Sequence, residues 1–354
     1  MDSTYSGAYG RVKVYQTEFL SSDIINHLIE LNSLDDIMHA LSSTTYQEDI
    51  TALISLYKNP DLLELVLNRH LIKKNKIAMF AMPPLSKDLL KVYFSKWDIE
   101  NIKSILSSKL LGYNLKENES FLVSFRDIPM GIFGGTISYE DYKIVMSQDS
   151  IEDIANYLSK FGYGSLLIQY IDTYRKTGDI SNMLSSLDTY FYTKLMESLK
   201  YYRGDEGPLI RYFREDIDSK NLMMILKAKD LGVKYADIAS NVIPYGNLLS
   251  SYMEELYKSE NVEEICNKLE SKFMFDRALK TYQQTGQLSG FEIELKAGIY
   301  KRYLEILSSQ SLSIGSIFAF ILRSEIERQN LRAIVVGKNY MLEKEKIADL
   351  IIKG

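Results

Sequence analysis

A single cysteine, Cys266, leaves no partner for an intramolecular disulfide, so the fold rests on packing. Histidine is almost as scarce, with only His27, His39 and His70 in 354 residues. All three fall in the first third of the chain, and none forms HExxH or another paired metal-ligand spacing, so no metal site is expected and solvated or core histidines are. A phosphate-binding loop is missing too: the only Gly-Lys pair, Gly337 and Lys338, has Arg332 where such a loop needs its first glycine. The longest nearly charge-free apolar stretch, around Ile314 to Leu322, is about half of the roughly 20 residues a membrane-crossing helix requires. The start, Met1 to Gly10, is polar and carries Asp2 rather than a positive charge before an apolar run, so secretion is not expected. Nor is there a positive excess: 42 Lys plus Arg against 47 Asp plus Glu give a formal charge of −5. No global field attracts a phosphate backbone, and nucleic acid is not an expected partner.

What remains is an ordinary globular composition, 46% hydrophobic and 25% charged, in a chain long enough for two or three domains of about 150 residues. Apolar residues recur at helical spacing, as in Phe19, Ile24, Leu28 and Leu31, then Ile37 and Leu41. The six prolines, at 60, 83, 84, 129, 208 and 244, sit mostly between periodic segments. These features predict an all-α fold. Phe121 to Phe133 alone fits a strand about as well as a helix end, and Gly131, Gly134 and Gly135 read as a loop opening the next helix.

One segment is written three times: KWDIENIKSILSSK from Lys96, DIDSKNLMMILKAK from Asp216 and EIERQNLRAIVVGK from Glu325. Trp97, Ile217 and Ile326 form an apolar column and Asp98, Asp218 and Glu327 an acidic one. Asn101, Asn221 and Asn330 are identical, as are Lys109, Lys229 and Lys338, and Ile105, Ile225 and Ile334 complete the pattern. The asparagines are 120 and 109 residues apart, against 118 for a third of the chain. Other segments keep this phase: SLDDIMHAL from Ser33, SIEDIANYL from Ser150 and NVEEICNKL from Asn261; TGDIS from Thr177 with TGQLS from Thr285; IPMG from Ile128 with IPYG from Ile243; IADLII from Ile347 with IASNVI from Ile238. Units of this length hold their own cores, which predicts three similar helical domains in tandem at about 1–117, 118–235 and 236–354.

Within each copy the apolar column, the asparagine and the isoleucine share one helix face at i, i+4 and i+8. A buried amide there is expected to tie its helix to backbone groups of a neighbouring element, as a structural position rather than a ligand site. The acidic column and the lysine are expected to suit the two termini of that helix. The paired acids Asp35 with Asp36, Glu152 with Asp153, and Glu263 with Glu264 read as solvated first turns, and Cys266 as a buried structural thiol. The 26 tyrosines suit core packing and surfaces between domains or subunits. No catalytic constellation and no cofactor site emerge, which leaves a helical binding or scaffold protein.

The motif IERQNLRAIVVGK, preceded by Arg323 and followed by EKEKIADLI, resembles the C-terminal signature of the C subunit of archaeal and bacterial A-type or V-type ATP synthases, to which the d subunit of eukaryotic V-type ATPases is related. The resemblance extends to YGRVKVY near Tyr9, LSSTTY from Leu41, the length and the threefold repeat, and so covers essentially the whole chain. Lys96 departs from it, standing where Asp216 and Glu325 are acidic. The resemblance implies three helical domains about a pseudo-threefold axis, forming a funnel seated on the cytoplasmic face of the membrane. Its implied partners are the proteolipid rotor ring and the central stalk subunits of the ATPase head, in a rotor that couples ATP synthesis or hydrolysis to proton or sodium transport. It implies one peripheral copy per complex and no chemistry of its own. A soluble helical adaptor is the competing expectation, and an enzyme with a pocket between domains a third.

Overall fold

The computed structural model describes residues 5–112, 137–200, 207–270, 272–310 and 313–352. Among them the secondary structure is helical with no strand, as the periodicity predicts. Phe121 to Phe133, the turn from Ile128 and Gly131, Gly134 and Gly135 lie outside the described residues.

Two compact units divide the chain, one formed by Met1–Asn32 with Leu199–Gly354 and the other by Ser33–Ser198. The first unit opens with α1 (Ser6–Tyr15) and α2 (Ser22–Glu30). The chain then enters the second unit through α3 (Leu34–Leu41), α4 (Gln47–Leu53), α5 (Asp61–Ala81), α6 (Lys87–Leu110), α7 (Tyr139–Ser147), α8 (Ile151–Leu158), α9 (Gly164–Ile168), α10 (Ile171–Thr177) and α11 (Ser181–Leu199). It returns to the first with α12 (Gly207–Asp230), α13 (Tyr235–Ile238), α14 (Ser250–Tyr257), α15 (Val262–Leu269), α16 (Asp276–Thr285), α17 (Ser289–Ser309), α18 (Ile314–Asn339) and α19 (Lys344–Asp349). These units and the three sequence copies are different divisions of one chain.

Local chemistry repeats with the sequence. Ser33, Ser150 and Asn261 cap α3, α8 and α15, each accepting the N–H three residues on, from Asp36 and Asp153 at 3.1 Å and Glu264 at 2.9 Å. The paired acids follow in those first turns. The first acid of each pair also holds a later segment: Asp35 accepts from Asn59 (2.8 Å), Glu152 from Arg175 (2.7 Å) and Glu263 from Gln283 (2.8 Å). Gly178 and Gly286 end α10 and α16 in the left-handed conformation, at φ 71° and 70°. Met82, before Pro83, is extended and stops α5.

The second unit buries Leu63 and Val66 of α5, Leu90, Phe94, Ile102 and Leu106 of α6, Ile154 and Leu158 of α8, and Leu187 and Leu195 of α11. In the first, α12 contributes Leu222, Ile225 and Leu226 to a core with Met253, Ile265, Cys266, Phe291 and Leu295. The apolar run Ile314–Leu322 is buried on every side as the start of α18, which is why it shows no amphipathic pattern. Burial, helped by Glu263 and Glu294, pushes the Cys266 thiol up to about 12.

His27 and His39 are exposed on α2 and α3. His70 is buried on α5, stacked on Tyr46 with ring centroids 3.9 Å apart and its Nδ1 3.0 Å from Asp49. The fully buried Asp49 also meets Arg69 Nε at 2.9 Å and Lys73 Nζ at 2.8 Å.

Candidate functional site

The repeated columns converge on one construction, a clamp in which each long signature helix grips a short helix of another copy. In α12, the Asp218 carboxylate accepts the N–H groups of Asn247 (3.1 Å) and Leu248 (3.0 Å), immediately before α14. Eleven residues on, about 16 Å along the helix, Lys229 donates to the carbonyl of Tyr257, the last residue of α14, at 3.2 Å. In α18, Glu327 accepts the Leu20 N–H at 2.6 Å, just before α2, and Lys338 donates to the Ile29 carbonyl near its end at 2.5 Å. In α6, Lys109 donates to the Gln148 carbonyl at the end of α7 at 2.7 Å. Asp98 instead takes the hydroxyls of Tyr142 (2.8 Å) and Tyr163 (3.3 Å).

This corrects the expectation that acid and lysine serve the termini of their own helix. The lysines do occupy last turns, but Asp98, Asp218 and Glu327 are buried in mid-helix. Their charge goes to a second helix. In the second and third copies a carboxylate accepts from backbone N–H groups just before the N-terminus of that helix and an ammonium meets a carbonyl in its last turn, and both charges oppose its macrodipole. Burial raises the Asp218 carboxyl above its usual value, with the two amides pulling it back. A Cβ on Gly246 would come within 2.3 Å of Asp218 Oδ1, so only glycine lets this backbone pass the carboxylate.

The asparagines sit between acid and lysine. Asn221 donates to the Ile243 carbonyl and accepts the Ile243 N–H, both at 2.9 Å. Asn330 does the same with Ile352, at 2.9 and 2.8 Å. Asn101 is half-buried and hydrogen-bonds the Tyr142 hydroxyl. In the apolar column Ile217 and Ile326 are buried, while Trp97 is half-buried, with the Lys96 ammonium 4.9 Å from its ring centroid.

Past each lysine the pattern continues onto the surface. Leu111, Leu231 and Tyr340 occupy one repeat position and are 69%, 75% and 73% exposed. Each precedes a left-handed residue: Gly112, Gly232 and, in the third copy, Met341 at φ 56°. Asp49, with its neighbours Arg69, His70 and Lys73, has no counterpart in the repeat and no signal in the sequence pattern. Among the described residues no group of three or more His, Cys, Asp or Glu could hold a metal ion, and no helix is long and apolar enough to cross a membrane.

A family model described as ATP synthase (C/AC39) subunit matches residues 8–350. Among similar proteins, the A-type ATP synthase C subunit of Thermoplasma volcanium is 48% identical over 354 residues, covering 100% of this chain and 99% of the relative. That of Thermoplasma acidophilum is 44% identical over 352 residues, 99% of both chains. The Methanocaldococcus jannaschii protein of the same name is 24% identical over 352 residues, 98% of this chain and 86% of the relative. Similarity that runs the length of the chain and takes in all three signature helices places this protein in the ATP synthase (C/AC39) subunit family.

Proposed function

We propose that the chain is the non-catalytic central-stalk connector of a rotary A-type ATP synthase. It couples the proteolipid rotor ring in the membrane to the stalk subunits of the ATPase head during ATP-linked proton or sodium transport. The observation that carries this reading is the full-length similarity to the C subunits of A-type ATP synthases. The threefold repeat supports the finer arrangement: domains at 1–117, 118–235 and 236–354 about a pseudo-threefold axis as a funnel, one copy per complex, on the cytoplasmic face and held there by the ring. Under this reading Trp97, Asn101, Lys109, Ile217, Asn221, Lys229, Ile326, Asn330 and Lys338 keep the connector rigid and bind no ligand or cofactor.

Affinity capture of the tagged chain from gently solubilised source membranes, followed by native mass spectrometry, tests the proposal. One copy recovered with a proteolipid ring and stalk subunits is the expected result. Soluble partners alone, from preparations in which the ATPase is intact, would overturn it in favour of an adaptor.

A further inference from the structure

In the first and second copies two aromatic rings meet at one repeat position. His70 on α5 stacks on Tyr46 with centroids 3.9 Å apart, and Tyr190 on α11 packs edge-on against Tyr163 at 6.0 Å. Tyr46 and Tyr163 end the phase-matched segments LSSTTY from Leu41 and LSKFGY from Leu158, and His70 lies 120 residues before Tyr190, the spacing of Asn101 and Asn221. In the third copy LESKFM from Leu269 puts Met274 in the place of the tyrosine. Gly298 stands in the place of the other ring, 13 residues after Thr285 as Tyr190 is 13 after Thr177. The register around it holds, since Leu187 and Leu295, Phe191 and Ile299, and Leu195 and Tyr303 are all buried.

No side chain of the third copy takes over that place. Met274 is 72% exposed, and a Cβ added to Gly298 would meet nothing within 4 Å beyond its own helix. Glycine is disfavoured against alanine in a helix interior, and no close neighbour requires it here. The Arg302 guanidinium, one turn past Gly298, reaches the Lys272 carbonyl at 3.5 Å, so this part of α17 borders the segment that carries Met274. Arg302 is itself fixed by Glu215 at 2.6 Å. We propose that Gly298 and Met274 form a docking notch for an aromatic side chain of a partner protein, which completes in trans the ring pair that the other two copies make in cis. The occupant follows from the repeat, because both copies that fill the position do so with a ring. The residues suit it: glycine lets a ring approach the helix backbone, and the flexible, polarisable methionine makes favourable sulfur–aromatic contacts. The inference concerns this face of the chain and does not depend on the rotary reading.

Two measurements on the full-length protein test it. In the first, p-cresol, the side-chain analogue of tyrosine, is titrated into protein labelled at its methionine methyl groups, with the Met274 signal assigned through Met274→Leu. A saturable shift of that signal is expected, and Gly298→Tyr, which fills the notch as Tyr190 fills its own copy, should abolish it. No shift, or one that persists in folded Gly298→Tyr, would overturn the notch. In the second, p-benzoylphenylalanine replaces the exposed Lys301 in the chain expressed in source cells, and the photo-crosslinked peptides are sequenced. A peptide of another protein, joined beside an aromatic residue, is expected. Its yield should fall at least about tenfold in Gly298→Tyr and in Met274→Glu; the second substitution lies at an exposed position outside α17 and serves if the first does not fold. Crosslinks to a second copy of this chain alone, no crosslinked partner, or yields unchanged by the substitutions would overturn the proposal.

Discussion

Asparagine carries both a donor and an acceptor at the tip of a short side chain, so it can pair with both polar groups of a single backbone residue. Asn221 and Asn330 use this on Ile243 and Ile352 in buried surroundings. Asn221→Ala leaves a buried N–H and a buried carbonyl without partners and is expected to cost about 2–4 kcal/mol, read as a shift in urea midpoint at unchanged slope. The amide was legible in the sequence because it breaks an apolar stripe at helical spacing. Asp49 was not, since its partners Arg69, His70 and Lys73 lie 20, 21 and 24 residues away on another helix. Burial opposes its ionisation, but hydrogen bonds from His70 and Lys73 outweigh this and hold its carboxyl below the usual value. A carboxyl depressed on folding contributes stability above its unfolded value, near pH 3.9, and loses it as pH falls toward the folded one. Asp49→Asn should therefore destabilise the protein by about 3–5 kcal/mol at pH 7. Chemical denaturation across pH should show that difference shrinking below about pH 4.

Among elements, the short helices depend on their neighbours, because eight or nine residues are too few to be helical in isolation. The first turns of α3, α8 and α15 were readable from their paired acids. The clamps were not, since Asp218 and Glu327 bind backbone amides, and an amide leaves no mark on the sequence of the segment that supplies it. Lys229→Met keeps the stem of the side chain and removes the ammonium from the C-terminus of α14. It is expected to cost about 1–2 kcal/mol and to raise amide exchange in α14 before that in α12. Lys229→Arg, which keeps the charge, should lose less.

For the whole molecule, sequence similarity and compactness mark different things. The repeat, read from Asn101, Asn221 and Asn330, marks copies of a pattern; the two units mark which helices share a core, and α2 belongs with α18 although it lies in the first copy. That exchange could not be seen in a linear alignment of three segments. The sole tryptophan, Trp97, lies in the unit from Ser33 to Ser198 and serves as a probe of it. Asn330→Ala is therefore expected to lower the helical circular-dichroism transition while leaving the Trp97 fluorescence midpoint in place; a joint shift would mean the units unfold together. The clamp of α18 on α2 also orders events during synthesis. Ile29 leaves the ribosome 309 residues ahead of Lys338, an interval of about 15–60 s at 5–20 residues per second. Through that time α2 has no clamp, and a nascent chain that ends before α18 leaves the Leu20 amide and the Ile29 carbonyl without their side-chain partners.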